Sequence, residues 1–184
     1  MKDNDFKWID LVHLGMKMWG DLPMKEPPKR DGIMTKVLTD EEFNAIFRNP
    51  DILAKDRVYF DEPFWHELSA KLRASGCNCI ILDVGEALRY PSHPELAVKG
   101  TWSPEKLKAE VARLRGMGFE VFPKLNFSTS HDTWLKEYSR MVSTPDYYKV
   151  CADLIRDVAE IFDHPRFLHL GYDEESFDNQ IRHL

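Results

Sequence analysis

Three short, largely apolar runs alternate with stretches of helical periodicity, and that alternation constrains the fold more than anything else in the chain. The runs are Cys79-Ile80-Ile81-Leu82, Phe119-Glu120-Val121-Phe122 and Phe167-Leu168-His169-Leu170. Between them, Leu107, Val111 and Leu114 recur at helical spacing, as do Val150, Leu154, Val158 and Ile161. A further helix is predicted over residues 64–74, with Trp65, Leu68 and Leu72 on one face and Gly76 closing it. An earlier strand is predicted from Ile9 to Leu14. Strands alternating with helices are the pattern of parallel strand-helix-strand units.

The helix starts are written in side-chain chemistry. Ser103-Pro104-Glu105 and Thr144-Pro145-Asp146 each offer a hydroxyl to cap free N–H groups, a proline suited to the first turn, and a carboxylate at the positive helix end. A short helix is also predicted from about Asp132 to Met141. Pro123 is predicted at the end of the third strand or at a bulge, because it cannot donate to a central ladder. Residues from about 20 to 61 read as one long loop insertion, with Pro23, Pro27, Pro28 and the Asp31-Gly32 turn signal.

The second, third and fourth runs are apolar without clear alternation, which predicts parallel strands covered on both faces. Such units build either a closed barrel or an open doubly wound sheet. No glycine-rich phosphate loop follows the first strand, and polar residues gather just after each strand, as at the mouth of a parallel barrel. The fold class is therefore α/β, with parallel strand-helix repeats forming a partial (β/α)8 TIM-barrel-like unit of about four strands. The 184 residues form a single such domain, and the expectation is that half of a full barrel is absent.

A net charge of −6 argues against a nucleic-acid backbone or an anionic membrane as partner, and leaves a neutral ligand such as a carbohydrate open. No secretory leader is visible, since Met1 to Asp5 is polar and the following apolar run is interrupted by Lys7, Asp10 and His13. Both a cytoplasmic protein and a trimmed exported one fit. Cys77, Cys79 and Cys151 are an odd set, with the first two spaced too tightly for a paired zinc knuckle, and they read as small core residues.

The run from Phe167 to Leu170 passes through Gly171-Tyr172 into Asp173-Glu174-Glu175. An apolar strand that ends in carboxylates suits a catalytic barrel mouth, while the competing reading is the acidic start of a further helix. The segment Phe167 to Glu174 resembles the His-x-Gly-Gly-Asp-Glu motif of family 20 glycoside hydrolases, the β-N-acetylhexosaminidases. Arg89-Tyr90-Pro91 resembles that family's elements after the second barrel strand, and Ser103 to Asn126 resembles its third unit. Tyr172 stands at the second glycine, and Lys124-Leu125-Asn126 replaces the family's Glu-x-Asp, with His131 displaced by one residue.

The resemblance implies a glycoside hydrolase acting on β-linked N-acetylhexosaminides or related glycans. Glu174 would be the proton donor and Asp173 the carboxylate that orients the substrate's acetamido nucleophile. Arg89, Asn126, His131 and His169 are the expected hydroxyl contacts, and Trp134 an aromatic face for a sugar ring. Glu86 is a possible second carboxylate, and Asp83 reads as a loop or helix cap. No local metal-ligand spacing is present, so neither a metal nor a cofactor is expected. The alternatives are a non-catalytic carbohydrate-binding domain and an inactive fragment of a larger glycosidase. Open barrel edges predict a homodimer.

Overall fold

The computed structural model describes residues 6–15, 57–127, 133–141 and 144–172. Three parallel strands form the sheet: β1 (Ile9–His13), β2 (Cys79–Asp83) and β3 (Glu120–Lys124), in the order β1-β2-β3. Ile9 lies opposite Cys79, Cys79 opposite Glu120, and the rows continue to His13, Asp83 and Lys124 at the C-terminal ends. Most of the expected loop insertion lies outside the described residues.

The expected fourth strand is present only as a bridge between His169 and Lys124. The backbone nevertheless runs beside β3: His169 N donates to Pro123 O at 3.0 Å, and Leu125 N donates to His169 O at 2.9 Å. Pro123 is the penultimate residue of β3 and only accepts in this pairing, so its missing N–H costs nothing there.

Among the described residues there are three α-helices; the second and third follow the expected starts, and the first begins two residues earlier than expected. α1 (Glu62–Ala74) is capped by Asp61, whose carboxylate accepts from Phe64 N at 2.9 Å. α2 (Pro104–Gly116) is capped by Ser103 and α3 (Pro145–Ile161) by Thr144, each accepting a backbone N–H at 3.2 Å. Each such cap is worth about 1 kcal/mol. Gly76 leaves α1 at a φ of +98°, where a side chain would be strained. The helix expected over 132–141 is instead a 3₁₀ stretch, Thr133–Arg140, broken at Lys136 with a φ of 54°.

Helices α1 and α2 are joined by a buried polar knot. Trp65 Nε1 donates to Glu110 Oε1 at 2.6 Å, and Arg113 donates to both Glu110 oxygens and to Ser69 Oγ. Around it the helix faces and one face of the sheet share one apolar core. Ile80, Leu82 and Val84 along β2, and Val121, Leu125 and Phe127 along β3, belong to it with Leu107, Val111, Leu114, Leu154 and Val158. Alternate residues point the other way.

That second face corrects the expectation of strands covered on both sides. Its middle row is Leu11, Ile81, Phe122 and Phe167, and Leu11 is 39% and Phe167 54% exposed. Phe167 meets the Phe122 ring edge-on, at 5.3 Å between centroids, and carries the Arg166 guanidinium 4.5 Å above its own ring. No described helix is long and apolar enough to cross a membrane.

Candidate functional site

The chemistry collects on the open face, one row beyond the apolar one. The C-terminal residues of three neighbouring strands, His13, Asp83 and Lys124, share that row and therefore point the same way. His169, bridged to Lys124, continues it. Asp83 is fully buried, and its Oδ2 accepts from Asn126 Nδ2 at 2.7 Å, Lys124 Nζ at 3.0 Å and His13 Nδ1 at 3.1 Å. Lys124 Nζ also donates to Asn126 Oδ1 at 2.7 Å. The second carboxylate oxygen, Oδ1, is buried and has no hydrogen-bond partner among the described residues.

A buried ammonium-carboxylate pair of this kind persists because each charge offsets the desolvation of the other and the amide of Asn126 satisfies both. The spare oxygen of Asp83 is an acceptor that a bound hydroxyl could reach only where the cluster opens. His13 marks that opening, with 46% of its side chain exposed.

Leu170 and Gly171 lie against this cluster. Phe127 N donates to Leu170 O at 3.2 Å, and Gly171 N donates to His169 Nδ1 at 3.0 Å. Gly171 has a φ of +67°, and a Cβ there would lie 2.1 Å from Leu125 O and 2.6 Å from Asn126 Oδ1. Only glycine lets the chain leave the fourth strand position at this angle. Asp173 and Glu174, the expected acid pair, follow two and three residues later and lie outside the described residues, as does His131.

The other expected contacts divide. Asn126 is fully buried and central to the cluster. His169 is exposed on the same row. Arg89 is exposed between buried Leu88 and Tyr90, and no hydrogen bond ties it to the Asp83 cluster.

Trp134 is corrected: it is 1% exposed, donates Nε1–H to Asn126 O at 2.8 Å and stacks on Tyr90 with centroids 5.9 Å apart. A ring enclosed in this way supports Asn126 from behind and has no face for a sugar. Asp83 is likewise more than a cap, and Lys124 and His13 enter the site without having been singled out. Their signal was weak but present, since each is the polar residue that closes its strand.

Neighbouring polar groups serve the scaffold. Tyr90 donates to Gly85 O at 2.8 Å, and burial, with the charges of Asp83, Glu86 and Asp157, pushes its hydroxyl well above the usual range. It stays a donor. Glu86 is 1% exposed and fixed inside the loop after β2. His93 lies outside the cluster, bonded through Nδ1 to Glu95 at 2.8 Å.

All three cysteines are free and buried, as expected. Burial and then Glu120 raise the Cys79 thiol to about 11, so it is not a thiolate at neutral pH. No family model and no curated protein matches the chain.

Proposed function

We propose that the chain is part of a (β/α)8-type barrel that acts on β-linked N-acetylhexosaminides or related glycans by carboxylate acid catalysis. The observation that carries this reading is the His13-Asp83-Lys124-His169 row. It lies at the C-terminal ends of strands in sequential order, on the face away from the helices. Barrels of parallel strands keep their chemistry at that end. The cluster presents donors and acceptors suited to sugar hydroxyls. Asp173 and Glu174 follow His169 in the sequence by four and five residues.

In this reading Glu174 protonates the leaving oxygen, Asp173 orients the acetamido nucleophile, and Asn126, His169, Arg89 and His131 bind hydroxyls. The test is turnover of p-nitrophenyl N-acetyl-β-D-glucosaminide by the whole chain and by Glu174→Gln. Activity in the wild type with at least a 100-fold loss in the variant supports the assignment. Equal turnover in both rejects it. Association of two copies through the open β1 edge belongs to the same reading, supported by exposed Ile9 and Leu11 on that strand. A monomer mass by light scattering removes it.

One observation favours a non-catalytic carbohydrate-binding role instead. Lys124 and Asn126 stand where the resembled hydrolases carry Glu and Asp, and Lys124 is tied up in the buried pair with Asp83. Calorimetry with N-acetylglucosamine that gives binding without hydrolysis supports this second reading.

A further inference from the structure

We infer that Asp83 and His13 form a dyad that presents the His13 Nε2 lone pair to the site as a hydrogen-bond acceptor for a ligand hydroxyl. The inference deepens the carbohydrate reading but stands on its own geometry. His13 Nδ1 is 3.1 Å from Asp83 Oδ2, and the contact joins neighbours in register on β1 and β2. A carboxylate can only accept, so Nδ1 carries the proton. In the neutral ring that leaves Nε2 unprotonated.

Nε2 faces another direction than Asp83, because the two ring nitrogens flank Cε1 and their in-plane directions diverge widely. The side chain is 46% exposed while its partner is 0% exposed, so the ring reaches the open side of the row with Nδ1 turned inward to Asp83. This is the geometry of a base held by an orienting acid. The titratable groups on the same face of the neighbouring strands are Asp83, Lys124 and His169 on the row of His13, and Cys79 and Glu120 two rows before it. Lys124 Nζ and Asn126 Nδ2 bond the same Oδ2, so the orienting oxygen is itself held from the β3 side.

The experiment is long-range proton-nitrogen NMR of the whole chain at pH 8, with calorimetric titration of N-acetylglucosamine. The expected wild-type result is a single His13 tautomer, protonated on Nδ1. In Asp83→Leu/Lys124→Met, which replaces the pair by apolar groups so that neither charge is stranded, both tautomers are expected. His13→Asn keeps a donor for Asp83 but removes the outward acceptor. It should melt with the wild type and lose at least tenfold in affinity for the sugar.

A mixed or Nε2-protonated tautomer in the wild type overturns the dyad. So does unchanged sugar affinity in His13→Asn. If the wild type holds the single tautomer and diethyl pyrocarbonate acylates His13 Nε2, yet the sugar does not bind, the carbohydrate reading fails and the acceptor dyad stands.

Discussion

The two faces of the sheet obey different rules. On the helix side, Ile80, Leu82, Val84, Val121, Leu125 and Phe127 are all at most 3% exposed and belong to one apolar core. On the other side, exposure ranges from none at Asp83 to 54% at Phe167, and charge sits beside hydrocarbon. The first face is shaped by packing alone. The second keeps a buried ion pair, a carboxylate oxygen with no partner among the described residues and a half-exposed histidine together, which packing alone would not favour. The difference separates what holds the fold from what a ligand could use.

The largest effect expected from breaking this contrast is at Lys124. Lys124→Met strands the Asp83 carboxylate in a buried position and should cost about 3–5 kcal/mol in urea unfolding. A loss below about 1 kcal/mol would mean that water reaches the pair, and the open face would then be ordinary surface. Adding Asp83→Leu to the same variant should return most of the stability.

Next comes a matched pair of leucine truncations, one for each face. Leu82→Ala opens a cavity in the closed layer and should cost about 2–5 kcal/mol. Leu11→Ala removes a side chain already 39% exposed and should cost under about 1 kcal/mol. Equal losses would show that the second face is as well covered as the first.

The smallest effect concerns acid. Asp153 on α3 is held down to about 2 by Lys149 and then Arg156, against a usual 3.8. Its folded value lies below its unfolded one, so its contribution is full above about pH 4–5 and fades as pH falls toward 2. Thermal melts of Asp153→Asn and wild type should differ slightly at pH 7 and converge near pH 2. A gap that persists at pH 2 would detach Asp153 from the acid response of the helix layer. These ion pairs are exposed on the cation side, so the shift in melting temperature is expected to be small.

Much of the scaffold was legible because it is local. Ser103 and Thr144 cap within three residues of themselves, Gly76 ends α1 where the chain must turn left-handed, and Leu107, Val111 and Leu114 line one helix face at fixed spacing. The polar cluster was only partly legible. Asn126 and His169 were anticipated from their motif. Lys124 was passed over, although it lies within the same run as Asn126. Its partner is 41 residues away, and no local rule relates the two. His13 meets Asp83 across 70 residues. Trp134 was misread for the same reason, since whether an indole packs or offers a face depends on Tyr90 and Asn126, which only the folded chain brings to it.

By itself the sequence determined the three α-helices, the Ser103 and Thr144 caps, three of the four strand segments and the parallel class, because propensity, capping and periodicity act over a few residues. Tertiary structure alone decided which side of the sheet the helices cover and which polar side chains share a row. Strand register and crossover direction assign every alternate residue to one face or the other. A shift of one residue would exchange the two sets.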